Sequence, residues 1–405
     1  MAATADAKPT PAADGGTAGV AAAAPQPDLR APGPYGVVVL HDSLRVPRPD
    51  RPLRPTRLAL TVSAPAVAPA DPPLPGPPFP VVLLMNGFQA RAAQYAPFAR
   101  RLASWGYLVV QYTAPALTII HDDVELSFAP RVLDWLADAA GRESNVALHG
   151  RPDLTRVFVA GHSRGAKLAA LHYAASLKPG ASPSTLGQCY PLRGAFLMDP
   201  VDNTAQTPES DAYPSAIKAL ASAGARVGIT GAGVVGATNP EGSNWRQFWA
   251  SSAPGSWLGV LPRAGHTKWL QGPPLECWFL DAAFGGGSAA RRTVLEATAA
   301  CMVAWFSHTL ASGDGGAPSK AAADPLEISA SAAASPAQVR VAAAAVYGTV
   351  GSGKVGGEGG GCGGGDGGDG VGALPAALSS ALGPLVDAGE VVFASKGGAC
   401  TAHPL

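Results

Sequence analysis

VFVAGHSRGAKLAALHYA, residues 157–174, runs a β-branched apolar segment into an Ala/Leu-rich one, with Gly161-His162-Ser163-Arg164-Gly165 at the joint. The first segment predicts a strand and the second a helix. G-x-S-x-G is common by chance in a glycine-rich chain, so the flanking pattern gives it weight. At a strand-to-helix joint it is the sequence form of a nucleophile elbow, a tight turn that lifts a serine hydroxyl above a sheet. The spacing has a steric reason. Side chains two before and two after the serine would collide where strand and helix cross, and both positions are glycine. Such a turn predicts a strained backbone at Ser163, with the new helix aiming its N-terminal dipole at a developing oxyanion.

Outward from the elbow, short β-branched runs alternate with longer helical stretches, the pattern of a doubly wound sheet. Strands are predicted at 35–40, 58–63, 81–86, 108–113, 157–161, 194–199, 226–231 and 257–262. Helices are predicted over Tyr95–Ser104, Pro130–Ala140, Gly165–Ser176, Pro214–Ala223 and Arg291–Leu310. No helix separates the first two strands, so they form an antiparallel hairpin or meander at one edge. The later strands alternate with helices, which calls for parallel pairing and right-handed crossovers. The expected fold class is α/β: an α/β-hydrolase fold, with a mostly parallel eight-stranded sheet and helices on both faces.

A serine hydroxyl is a weak nucleophile and needs a base oriented by a third group. The chain order in this fold is serine, acid, histidine. His266 lies four residues past the strand at 257–262, beside Gly265. Of the other histidines, His41, His121, His149 and His162 precede Ser163, His172 and His308 lie along predicted helices, and His403 is in the tail. Only His266 has the address of a base. For the acid, GAFLMDPVDN places Asp199 at a strand end and Asp202 three residues on. The more usual place is one strand later, but GAGVVGATNPEGSN (231–244) offers only Glu241. Asp199 ranks first, Asp202 second and Glu241 third; D-N-T at 202–204 also suits a turn or cap. An oxyanion hole uses two backbone N–H groups. The candidates are Arg164, after the serine, and Phe88, where Asn86-Gly87 turns the chain after the third strand. The same Asn-Gly pair is an ordinary turn signal.

The remaining polar and aromatic residues stay open between two readings. Arg164 and Lys167 suit either a solvated surface or an anchor for the helix, and Asp122 and Asp123 suit a helix start. Trp245, Phe248 and Trp249 in NWRQFW fit an apolar pocket and ordinary packing equally, while 206–217 falls where a substrate-facing loop would lie.

Composition bounds the rest. The 29 Lys+Arg balance 29 Asp+Glu, which argues against a nucleic-acid partner held through phosphates. No apolar run approaches the roughly 18–20 residues of a membrane span. Five cysteines without a CxxC pair argue against a zinc ribbon or a disulfide scaffold. Cys277 and Cys301 could pair, though buried free thiols are the simpler reading. No metal or cofactor is expected. Glycine and proline are concentrated at the ends, with 18 of 39 prolines in residues 1–80 and 22 of 50 glycines after residue 310. The expected organisation is an Ala/Pro-rich tail at 1–34 without a signal-peptide pattern, a catalytic domain at 35–311, and an extension at 312–405. That extension holds a glycine-rich linker at 351–370, then a short helix and strand that suit packing back on the core.

GHSRGAK at 161–167 together with MDPVD at 198–202 resembles chlorophyllases, as does MNGFQARAAQYAPFARRLASWGYLVVQ at 85–111. The resemblance covers roughly 35–310, and Ala166 stands where that family has glycine. Its Ser, Asp and His fall on Ser163, Asp199 and His266. What the resemblance implies is hydrolysis of the phytyl ester of chlorophyll without a cofactor, in a chloroplast, with a small apolar ester as partner and room for a peripheral membrane contact. The residues by themselves reach only a serine carboxylic-ester hydrolase. A cutinase- or lipase-like enzyme, a platelet-activating-factor acetylhydrolase relative, and a non-catalytic pigment-binding scaffold on the same fold are the other readings. Oligomeric state is not legible.

Overall fold

A computed structural model of the chain describes residues 27–66, 74–116, 119–178, 186, 189–312 and 376–396. Two long strands come first, β1 (Gly36–Val46) and β2 (Thr56–Ala66), paired antiparallel along their whole length. Six more follow: β3 (Phe79–Met85), β4 (Leu108–Thr113), β5 (Pro152–His162), β6 (Leu192–Met198), β7 (Val227–Val234) and β8 (Trp257–Gly265). These six are parallel to their neighbours among themselves, and β4 meets β2 antiparallel. The helices between and after them are α1 (Ala92–Ser104), α2 (Asp122–Leu126), α3 (Phe128–Gly141), α4 (Arg164–Ser176), α5 (Ala216–Ala223), α6 (Trp245–Ser251), α7 (Pro274–Phe284) and α8 (Arg291–Ala311). After the glycine-rich tract, α9 (Ala376–Asp387) leads into β9 (Val392–Ser395).

The sheet order is β1-β2-β4-β3-β5-β6-β7-β8-β9, an α/β-hydrolase fold. Among the described residues it has nine strands; the sequence predicts eight for the sheet and a separate short strand in the C-terminal extension, which is the ninth. The ninth pairs antiparallel with β8, from Trp257↔Ser395 to Val260↔Val392. It occupies an edge whose N–H and C=O groups would otherwise stand open, which gives that strand a physical reason. Ala381 and Leu382 of α9 are buried in the same layer as α8. The predicted linker at 351–370 and residues 1–26 of the predicted tail at 1–34 lie outside the described residues.

Both faces of the sheet are covered, so its central strands read as unbroken apolar runs. Side chains alternate between faces. Val81, Leu83, Val157, Val159, Ala195 and Leu197 enter the core shared with α3, α4, α5 and α6. Val82, Leu84, Phe158, Ala160, Phe196 and Met198 enter the core shared with α1 and α8. Helix α8 is long and apolar enough to cross a bilayer, but most of it is buried between the sheet and α9, as a core helix is. Trp245, Phe248 and Trp249 resolve as core: all three are buried, and Trp245 Nε1 donates to the Ala232 carbonyl at 2.7 Å. Cys277 and Cys301 are buried free thiols.

Candidate active site

The strand-to-helix joint is as tight as its sequence implies. A Cβ on Gly161 would lie 2.3 Å from the Gly165 carbonyl, and one on Gly165 would lie 2.4 Å from the carbonyl oxygens of Met85 and Asn86. Between them Ser163 takes φ 57° and ψ −125°. For a residue with a side chain this is strained by about 1–3 kcal/mol, held by the structure around it. Here the Ser163 N–H donates to Met198 O at 3.1 Å, and its carbonyl accepts from the N–H groups of Ala166 and Lys167. Strand β6 thus grips the turn on one side and α4 begins on the other.

Three strand ends converge above the sheet. Ser163 follows β5, Asp199 follows β6 and His266 follows β8. The Ser163 hydroxyl lies 2.9 Å from His266 Nε2, and His266 Nδ1 lies 2.6 Å from Asp199 Oδ2. Asp199 is fully buried and has φ 39°, a second strained residue in the site. Its Oδ1 accepts the Ala232 N–H at 2.9 Å, and Asn239 Nδ2 approaches Oδ2 at 3.4 Å. Strand β7, through Ala232, and the loop after it, through Asn239, supply hydrogen-bond donors to the carboxylate at the end of β6, while the acid of that loop, Glu241, points elsewhere. That role was not visible in the sequence.

The other acids go elsewhere. Asp202 accepts Ser215 Oγ at 2.6 Å and the N–H groups of Ala216 and Ile217 at 3.0 and 3.3 Å. It caps the start of α5, where a carboxylate also meets the positive end of the helix dipole. Glu241 is exposed in a 3-10 turn, Glu241–Ser243. Among the described residues, no group of three or more His, Cys, Asp or Glu is placed to hold a metal.

Gly87, Phe88, Ser163, Arg164 and His266 border one cavity of about 470 Å³. Val201, Leu270, Leu280 and Phe284 make its wall apolar, and Thr204, Gln206, Thr207 and Thr238 make another part polar. The loop at 206–217 therefore does reach the cavity, through Gln206 and Thr207. Phe88 itself is 55% exposed.

Arg164 is a half-buried anchor and Lys167 a buried one. Arg164 Nε donates to Asp122 Oδ1 at 2.6 Å, Nη1 to Glu125 Oε2 at 2.5 Å and Nη2 to the Ile120 carbonyl at 2.9 Å. Burial alone would lower the guanidinium pKa; Glu125 and Asp122 outweigh it and hold it above the ordinary arginine value. Lys167 Nζ lies 2.8 Å from Asp122 Oδ2 and 3.5 Å from Asp202 Oδ1. Tyr112 Oη donates to Glu125 Oε1 at 3.1 Å. The first turn of the elbow helix is thereby clamped to α2 and to the loop after β6.

A second clamp holds the turn that carries His266. Asp281 on α7 accepts Thr267 Oγ1 at 2.6 Å, Lys268 Nζ at 2.8 Å and Arg291 Nη2 at 2.5 Å. Arg291 also donates to the carbonyls of Thr267, Leu270 and Cys277. Burial pushes the Asp281 pKa up, but Lys268, Thr267 and Arg291 together hold it below the usual carboxylate value of 3.8. With both acids of α7 turned inward, Glu276 toward Arg91 and Gln94, the helix that lends Leu280 and Phe284 to the cavity leaves Leu275, Trp278 and Phe279 at 60–76% exposure.

Chlorophyllase-1 of Arabidopsis thaliana is 31% identical over 119 residues, which make up 29% of this chain and 36% of that protein. The aligned stretch therefore spans about a third of that relative's length. Among solved structures, a ferulic acid esterase from Streptomyces cinnamoneus superposes with a TM-score of 0.46 at 19% identity, over 71% of this chain and 92% of the other. The sequence model of the chlorophyllase family matches residues 59–339, from the second strand to beyond the last core helix. This chain belongs to the chlorophyllase family.

Proposed function

We propose that the protein is a serine ester hydrolase that cleaves the phytyl ester of chlorophyll to chlorophyllide and phytol through an acyl-enzyme. The observation that carries this reading is the unbroken line from Ser163 Oγ to His266 Nε2 and from His266 Nδ1 to Asp199, at 2.9 and 2.6 Å. His266 takes the hydroxyl proton as Ser163 attacks the ester carbonyl. Asp199, held by Ala232 N–H and Asn239, fixes the ring so that Nε2 faces the serine and stabilises the imidazolium that forms. The amides of Phe88 and Arg164 receive the oxyanion. The tetrahedral intermediate collapses, His266 returns its proton to the leaving alcohol, and phytol departs. A water, deprotonated by His266, then attacks the acyl-enzyme and releases the acid product.

Family membership supports the substrate class, and the apolar wall of Val201, Leu270, Leu280 and Phe284 suits a greasy ester. The exposed face of α7, with Leu275, Trp278 and Phe279, suits a peripheral contact with the membrane in which such an ester resides. A plastid location follows from that substrate. The test is turnover of chlorophyll and of p-nitrophenyl butyrate by wild type and Ser163→Ala. Both activities are expected in the wild type and neither above background in a folded Ser163→Ala protein. Activity on the short ester alone would replace chlorophyll by other apolar esters, and an active Ser163→Ala protein would overturn the assignment.

A further inference from the structure

His162, the residue before Ser163, takes no part in the reaction just described, yet both its ring nitrogens are engaged. Tyr95 Oη lies 2.8 Å from Nδ1, and the backbone carbonyl of His266 lies 3.2 Å from Nε2. Tyr95 Oη also accepts the Gly87 N–H at 3.1 Å. Tyr95 and His162 are both buried.

These three bonds admit one proton arrangement. A carbonyl oxygen only accepts, so Nε2 carries a proton. Burial, reinforced by the neighbouring His266, holds the His162 pKa well below the usual histidine value, so the ring is neutral and Nδ1 is an acceptor. Tyr95 gives its single hydroxyl proton to Nδ1 and receives Gly87 N–H on its lone pair. Burial also raises the Tyr95 pKa, which keeps that proton in place. One chain of hydrogen bonds therefore runs from the Gly87 amide through Tyr95 and His162 to the backbone of His266.

The ends of that chain are the two halves of the proposed machinery. Gly87 precedes the proposed oxyanion donor Phe88, and His266 is the proposed base. The fit is close along its length. A Cβ on Gly87 would lie 3.0 Å from Tyr95 Oη and 3.3 Å from His162 Nδ1. The His162 ring lies 4.7 Å from that of His266 and stacks at 16° on Trp269, 6.0 Å away.

We propose that Tyr95 and His162 are positioning residues that lock the Gly87–Phe88 loop to the His266 backbone, so that oxyanion donor and base keep one spacing about Ser163. This rests on the reading of Ser163 as nucleophile. Mere core filling would be nearly indifferent to Tyr95→Phe, which keeps the ring and removes only the hydroxyl.

The test is steady-state hydrolysis of p-nitrophenyl butyrate by Tyr95→Phe, His162→Leu, His162→Gln and the double variant Tyr95→Phe/His162→Leu, with Tm measured for each. Tyr95→Phe is expected to lower kcat about tenfold with KM within about twofold of wild type, and to lower Tm by roughly a few degrees because the buried Gly87 N–H and His162 Nδ1 lose their partner. His162→Gln, whose amide reaches the Nε2 position and can donate to the His266 carbonyl, recovers part of what His162→Leu loses. The double variant loses no more than His162→Leu alone, because both changes cut one chain. Wild-type kcat in Tyr95→Phe, or losses that multiply in the double variant, would overturn the proposal. NMR of nitrogen-labelled histidine gives a readout independent of turnover: His162 is expected to carry its proton on Nε2, and a protonated Nδ1 would overturn the chain. A wild type inert towards both the ester and a fluorophosphonate overturns the hydrolase reading, and the positioning role with it. An active wild type with an unimpaired Tyr95→Phe overturns the positioning role alone.

Discussion

Two clusters of charge brace the site, one at the helix that follows Ser163 and one at the turn that carries His266, and they are built differently. At the first turn of the elbow helix, Lys167 and Asp122 meet with side chains only 2% exposed, joined by Arg164, Glu125 and Asp202. Around the His266 turn, Asp281 is 23% exposed where it meets Lys268 and Arg291. Attraction between charges is stronger where water is excluded, and so is the penalty for a charge left alone. The elbow cluster therefore behaves as one unit that fails when a member is lost. The turn cluster keeps access to water, so its contribution is graded and titrates with pH.

The sharpest way to break this contrast is Lys167→Met. It leaves Asp122 and Asp202 buried without their shared cation and is expected to cost about 3–5 kcal/mol in urea unfolding. A cost below about 1 kcal/mol, the range of exposed pairs, would show that the two clusters are alike.

Asp281→Asn keeps the side-chain shape, retains part of the hydrogen bonding and removes the charge. Its expected cost is about 1 kcal/mol or less, after allowing for solvent screening at a partly exposed site. That cost depends on pH. The folded pKa of Asp281 lies below its ordinary value of 3.8, so its stabilisation is fully present above that value and is lost as pH falls through the folded pKa. The difference in urea midpoint between wild type and Asp281→Asn is thus expected to shrink from about pH 5 downwards. A difference that holds constant as the solution is acidified would remove Asp281 from the charge account.

How much of this was legible in the sequence follows from the range of each signal. The elbow was legible because strand, turn and helix are contiguous, and the two glycines record a local steric need. His266 and Asp199 were legible as strand-end addresses, one after the last core strand and one after GAFLM. The two clusters were not. Arg164 meets Glu125 from 39 residues away, and nothing local separates a buried lysine such as Lys167 from a solvated one. Asp202 was ambiguous for a related reason, since its partners Ser215 and Ala216 lie across a loop whose path the sequence does not specify. Trp245, Phe248 and Trp249 sit at helical spacing, which fits a pocket wall and a core face equally. In α7 nearly every residue is apolar, so periodicity could not tell that Leu275, Trp278 and Phe279 face outward. The ninth strand was hard to place because the glycine-rich tract breaks the strand–helix alternation before it.

The most direct test of the central claim is the site and rate of covalent labelling by a fluorophosphonate, followed by intact mass and peptide mapping. A single adduct on the peptide carrying Ser163 is expected, absent in Ser163→Ala. Asp199→Asn is expected to slow labelling by at least about a hundredfold, because the ring loses the carboxylate that sets its tautomer. Asp202→Asn, which takes a charge from Lys167 but leaves the bonds of His266 intact, is expected to lower stability and, in the folded protein, to slow labelling far less than Asp199→Asn. An adduct on another residue, or an equal loss in Asp202→Asn, would contradict the assignment of Ser163, His266 and Asp199 as the working triad.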